Sequence, residues 1–136
     1  MCASYGLDPR FTDDQLFSPS EEAVLDALRS WGERNAGETV RPTGRNLRNL
    51  NPIVQEVDGE TVVEPAWWGF LVDGAPARFP SINTRSERLQ DRPGSLRSRA
   101  LVPATGWYEM QKPARTWHEF AVDHGALFGM AAVTAT

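Results

Sequence analysis

The sequence contains one cysteine, two histidines, two tyrosines and no apolar run approaching the length of a membrane span. A lone thiol excludes an intrachain disulfide and excludes a structural zinc held by several thiolates, so neither a metal nor a cofactor is expected. Without a long apolar tract no membrane partner is expected either. The opening residues, MCASYGLDPRF, carry neither a basic start nor an apolar stretch of signal-peptide length. The expected setting is therefore cytoplasmic. Positive charge is also scarce, with 14 Lys and Arg against 18 Asp and Glu, a net charge of −4 that on average repels phosphates.

That average conceals an asymmetry. From Arg78 to Arg115 there are eight basic and three acidic residues, whereas the rest of the chain holds six basic and fifteen acidic. Segregation of this kind marks a local anion site, and a merely solvated basic face would look the same. At 136 residues, 40% apolar and 24% charged, the chain has room for one domain around one core, spanning 1–136.

The pattern of residues predicts an α+β fold with a largely antiparallel, barrel-like sheet and one or two short helices. Ser18, Pro19 and Glu21 have the form of a capping box with proline at the first helical position. Val24, Leu25, Leu28 and Trp31 then recur at helical spacing up to Gly32. Asp58-Gly59 between two β-rich runs, 53–57 and 61–64, predicts a tight hairpin. Further strands are expected over 66–72, 100–110, 117–122 and 127–133, the last two joined by Asp123, His124 and Gly125. A capped short helix or turn is expected within 81–89.

Cys2 stands out chemically. Initiator methionine is commonly removed before a small residue, and removal of Met1 would leave an α-amine and a thiol on the same residue. Such amines titrate near ~7.7 to 8.0 and such thiols near ~8.5, so both nucleophilic forms exist at neutral pH. A 1,2-aminothiol condenses with an aldehyde through a Schiff base and closes to a five-membered thiazolidine. The plain alternative is a small buried or incidental residue.

Several ordered blocks accompany it: Met1-Cys2, Pro42-Thr43, Trp68-Gly69-Phe70, Ile82 to Glu87 (INTRSE), and Leu101-Val102-Pro103-Ala104 leading into Gly106-Trp107-Tyr108-Glu109. In order and spacing they resemble the SRAP family (SOS response-associated peptidase), the abasic-site processing proteins of the DNA-damage response. That pattern has a Met-Cys-Gly-Arg start, a Trp-Gly-Leu strand, an Asn-Ala-Arg-x-Glu segment and a Leu-Val-Pro-Ala-x-Gly-(Phe/Trp)-Tyr-Glu-Trp strand. The resemblance runs from Met1 to Thr136 and implies a SRAP-like domain, shortened at its C-terminus, acting in DNA repair.

By that resemblance the partner is single-stranded DNA containing abasic sites, and the setting is the nucleoid. Cys2 would bond C1′ of the ring-opened deoxyribose as a DNA–protein crosslink. Asn83 would hydrogen-bond the sugar, and Glu109 would be the general acid and base. Arg85 would contact phosphate, joined by Arg88, Arg97 or Arg99, because guanidinium pairs bidentately with phosphate oxygens. Pro42 and Trp68 would pack on bases where the DNA bends, with ~1 to 3 kcal/mol per stacked base.

Other readings of the same residues stay open. Asn83 suits the cap of a turn, Arg85 an ordinary surface position, and one of Trp67 and Trp68 belongs to the core because neighbours on a strand alternate. Glu109, in an apolar strand, is costly to bury unless paired or functional. Ala3 and Ser4 stand where the family has Gly-Arg, and Met110 where it has Trp. No histidine matches the family's catalytic one; His118 and His124 are expected at the surface, which leaves lyase activity in doubt. The competing functions are a cysteine peptidase using Cys2 as a hydrolase nucleophile, a noncatalytic single-stranded DNA-binding domain, and a nonfunctional remnant.

Overall fold

The computed structural model describes residues 4–12, 16–17, 21–35, 50–69, 71–76, 84–91 and 98–134. The long helix, α1 (Glu22–Arg34), forms because Val24, Leu25 and Leu28 fall on one face, where all three are buried. Its start differs from the expected capping box. Glu21 occupies the N-cap without a side-chain cap, and its carboxylate accepts a 2.6 Å bond from the Thr61 hydroxyl instead; Ser18 and Pro19 lie outside the described residues. Gly32 lets α1 approach the N-terminal segment closely. A Cβ there would stand 3.1 Å from the Leu7 carbonyl oxygen and 3.2 Å from the Pro9 nitrogen.

Strands β1 (Tyr5–Gly6), β2 (Leu50–Val57), β3 (Glu60–Trp67), β4 (Leu71–Val72), β5 (Ala75–Pro76), β6 (Arg99–Ala104), β7 (Gly106–Gln111), β8 (Thr116–Ala121) and β9 (Phe128–Val133) make three sheets, and a short helix, α2 (Ser86–Gln90), precedes β6. The orders are β3-β2-β6-β9, β1-β7-β8 and β4-β5. Every ladder between these strands is antiparallel. The fold is thus α+β with largely antiparallel sheets and two helices, and among the described residues the sheets do not close into a barrel.

The Asp58-Gly59 hairpin forms as expected. Both residues have positive φ, 52° and 82°, the backbone that a tight primed turn needs. Asp73 and Gly74, at 51° and 76°, turn β4 back on β5 in the same way.

Two strand expectations are corrected, those over 66–72 and 100–110. The run 66–72 is not one strand: β3 ends at Trp67 and β4 begins at Leu71, with Gly69 between them at φ 93°. The run 100–110 divides at Thr105, where the chain passes from one sheet to the other. Strands β8 and β9, joined through a 3-10 turn (Asp123–Gly125), do not pair with each other; β8 pairs with β7 and β9 with β6.

The buried apolar residues form two adjoining clusters, where one core was expected. Leu7, Phe11, Val24, Leu25, Leu28, Val54 and Leu127 make the first; Tyr5, Val102 and Ala104 make the second, and Trp31 packs on both. Residues 4–12 are fastened to both sheets. Tyr108 N–H donates to the Ser4 carbonyl (3.0 Å), Thr105 N–H to the Gly6 carbonyl (2.9 Å), and Leu127 N–H to the Thr12 carbonyl (2.8 Å).

Candidate functional site

Strand β7 organises the chemistry because neighbouring residues on it face opposite ways. On one side it has β1, with Tyr5 opposite Trp107 and Gly6 opposite Gly106. On the other it has β8, with Trp107 opposite Phe120, Tyr108 opposite Glu119, Glu109 opposite His118 and Gln111 opposite Thr116. Partners directly across a ladder share a face. One face therefore carries Tyr5, Trp107, Phe120, Glu109, His118 and Gln111, and the other carries Tyr108, Glu119, Met110 and Trp117.

The first face is aromatic at one end and polar at the other. The Trp107 and Phe120 rings stack with centroids 5.2 Å apart, and Phe128 meets Trp107 edge-on at 5.5 Å. Tyr5 is fully buried, and Trp68 lies against it at 5.4 Å. Past this aromatic stretch Glu109 is half-buried and His118 is exposed. His118 Nε2 lies 2.8 Å from Gln111 Oε1.

On the second face, burial and the nearby Glu119 carboxylate, which accepts the phenol's hydrogen bond, raise the pKa of Tyr108. Glu119 thus stands with the Tyr108 phenol on this face, while Glu109 lies on the opposite face, in register with His118 across the ladder. Near the N-terminus, Arg10 donates to Asp8 through Nε (3.1 Å) and Nη2 (2.9 Å). Those side-chain bonds are the main cause of the lowered Asp8 pKa, helped by the Arg10 backbone N–H and opposed slightly by burial.

Of the residues singled out from sequence, Cys2, Pro42, Asn83 and Arg97 lie outside the described residues. The remaining five are Trp68, Arg85, Arg88, Arg99 and Glu109. Trp68 joins the β1–β7 junction through Tyr5, and Glu109 lies two residues beyond Trp107 on that same face. Trp68 is the half-buried member of its pair, whereas Trp67 is 43% exposed, so the inward one is the residue expected to meet bases. Arg85 precedes α2, Arg88 lies within it and Arg99 begins β6; all three are exposed. His118 and His124 are also exposed, as expected.

Sequence reasoning missed the pairing of Glu109 with His118. The signal was present: counting outward from the turn at 112–115 brings these two residues opposite each other. Among the described residues there is no cluster of three or more His, Cys, Asp or Glu side chains that would hold a metal, and no helix long and apolar enough to cross a membrane. No protein-family model, no curated protein and no solved structure matches the chain.

Proposed function

We propose that this protein binds single-stranded DNA at abasic sites and captures the ring-opened sugar as a thiazolidine on Cys2 after loss of Met1, in the manner of the SRAP family that its sequence blocks resemble. The observation that carries this reading is the pairing of β1 with β7. It fixes the Ser4 carbonyl on the N–H of Tyr108, the residue next to Glu109. The reading takes Cys2, two residues before Ser4 in the sequence, to reach that carboxylate.

The chemistry needs this proximity. The Cys2 amine adds to the sugar aldehyde at C1′ to give a carbinolamine. Its hydroxyl leaves as water when protonated, and the thiol then bonds the same carbon to close the ring. Glu109 gives and takes protons in these steps. Asn83 holds the opened sugar, and Arg85, Arg88, Arg97 and Arg99 neutralise flanking phosphates. Pro42 and Trp68 flank the bases. A barrel-like closure of the sheets belongs to the same reading. The exposure of Arg85, Arg88 and Arg99 also suits noncatalytic binding of single strands, which differs in forming no covalent product.

Intact-mass measurement after incubation with an abasic single-stranded oligonucleotide separates these readings. The expected product has the mass of protein without Met1 plus DNA minus one water, and Cys2→Ala yields none of it. Absence of that mass from the native protein, or its persistence in Cys2→Ala, refutes covalent capture.

A further inference from the structure

An edge strand presents a row of backbone N–H and C=O groups to solvent, and proteins blunt such edges with lysine, proline, a bulge or a covering segment. Strand β8 has none of these protections. It is the outer strand of β1-β7-β8, and its sequence, TWHEFA, contains neither lysine nor proline. Its pairings with β7 run without interruption, so no bulge bends it away. All of its residues are exposed. Among the described residues, Trp117 and Phe120 on this strand and Val122 directly after it are large apolar side chains standing in solvent.

We infer that β8 is a docking edge for an extended, arginine-bearing segment of another protein, which adds to the β1-β7-β8 sheet as a further strand. Charge selects this occupant. From Thr116 to Thr136 the chain carries Glu119 and Asp123 and no lysine or arginine, while Lys112 and Arg115 lie in the turn before β8. Alternation sorts the side chains: Trp117, Glu119 and Ala121 share the face with Tyr108, and Thr116, His118 and Phe120 share the other. A residue directly opposite Glu119 on an added strand has its Cβ about 4.5–5.5 Å away, and Trp117 is then a diagonal neighbour at about 7–8 Å, within reach of a long side chain. Arginine in that place pairs with the carboxylate and lays its planar guanidinium on the indole, which lysine does less well. The Tyr108 phenol holds Glu119 on that face through its hydrogen bond, and a carboxylate has further lone pairs to offer. The residues flanking the arginine turn to the opposite face. There the Phe120 ring, stacked on Trp107 at 5.2 Å, presents apolar area to a β-branched side chain.

A second copy of the chain fits this edge less well. Two β8 strands paired about a two-fold axis bring residues of the same face opposite each other, and the two registers of largest overlap set Glu119 either directly opposite its copy or diagonal to it. Like charges so placed destabilise the pair. Single-stranded DNA also fits less well, because its phosphates would meet Glu119 and Asp123. A sheet edge offers alternating donors and acceptors, which another peptide backbone matches and a phosphate chain does not. Arg85, Arg88 and Arg99 belong to α2, its N-cap and β6, so docking at β8 requires no DNA.

The probe is a fluorescein-labelled peptide, TVRVRVRVT, whose valines and arginines alternate between faces. Its controls are the same residues in blocks, TVVVVRRRT, and the acidic counterpart TVEVEVEVT. Fluorescence anisotropy should show saturable binding of the alternating arginine peptide, at least about tenfold tighter than of either control, as several cross-strand contacts together provide. Glu119→Gln and Trp117→Ser should each weaken it about two- to fivefold, the factor of one exposed cross-strand charge pair or cation–π contact. Glu60→Gln, an equal change of net charge at the exposed start of β3, should leave it unchanged. Amide hydrogen exchange read by mass spectrometry should slow across 116–121 when the peptide is bound, which charge attraction alone does not bring about. If Glu119→Gln loses its cooperative melt, Trp117→Ser carries the test. Absence of saturable binding, equal binding of the three peptides, or a loss in Glu60→Gln equal to that in Glu119→Gln overturns the docking edge. So does protection of 116–121 that appears on raising protein concentration alone, which makes a second copy the occupant, or on adding oligothymidylate, which makes it nucleic acid.

Discussion

The two larger sheets divide the work of the molecule between them. In β3-β2-β6-β9 both faces carry buried residues, Val54 on the side that α1 covers with Val24, Leu25 and Leu28, and Ala100, Val102 and Ala104 on the other. In β1-β7-β8 every residue of the edge strand β8 is exposed, and the polar residues stand as cross-strand pairs, Glu109 with His118 and Tyr108 with Glu119. Burial of apolar area supplies most of the free energy of folding. The first sheet is therefore where stability is concentrated, and the second is free to hold polar groups that a packed core would exclude. Substitutions in the two regions should separate stability from reactivity.

The largest expected effect lies on the core side of this division. Leu28 has no exposed surface and packs with Leu7 and Phe11 of the N-terminal segment and with Val54 of β2. Leu28→Ala should lower unfolding free energy by about 2–5 kcal/mol, the range for truncating a buried leucine, read from a denaturant or thermal melt. A loss below about 1 kcal/mol would mean that the α1 face is not the centre of stability and would break the contrast between the sheets.

A smaller effect sharpens the description of the other sheet. Burial, the Glu119 charge and the hydrogen bond to Glu119 all favour the neutral phenol of Tyr108, so its folded-state pKa is raised. The stability this contributes is fully present below the ordinary phenol value near ~10 and is lost as pH rises through the higher folded value. Tyr108→Phe should cost less than about 1 kcal/mol at pH 7, since a net hydrogen bond contributes about 0.5–1.5 kcal/mol and this one is partly solvated. Its decisive signature is the alkaline limb. Melts between pH 8 and 11 should show the native protein losing ground to Tyr108→Phe as pH rises, and parallel curves would remove Glu119 as the partner of Tyr108.

The parts of this architecture that local sequence encodes were legible, and the parts set by distant contacts were not. Asp58-Gly59 announces a primed turn because few dipeptides tolerate two positive φ values in succession, and the structure has that turn. The apolar face of α1 follows from spacing alone. Thr105 gives no local sign that the chain changes sheets there. Its hydroxyl, which receives the Asp8 N–H at 2.9 Å and lies 3.3 Å from the Gly6 carbonyl, answers to residues nearly a hundred positions away. Likewise Asp123–Gly125 shows in the sequence only as a connection, and the partners of β8 and β9, which are β7 and β6, are set by distant contacts. In the candidate site Glu109 could be singled out because a carboxylate is costly in an apolar strand. His118 could not, because its relevance comes from the register across the ladder. Cys2, Asn83, Pro42 and Arg97 rest on sequence alone.

The smallest expected effect is the most direct check on the contrast. Trp117 is the largest side chain of β8 and is 55% exposed, opposite Met110 on the face away from Glu109. A tryptophan normally carries much of a protein's packing energy, and Trp→Ala in a core costs about 3–5 kcal/mol. If β8 is an edge that lends little to stability, Trp117→Ser should change the unfolding free energy by no more than about 0.5 kcal/mol, as surface substitutions do. Because the side chain faces away from Glu109 and His118, the rate of adduct formation should stay the same as well. A destabilisation above about 2 kcal/mol in a denaturant melt would make β8 part of the folded core. The polar pairs on β7 and β8 would then stand within the structure's main source of stability, and the separation of folding from chemistry would fail.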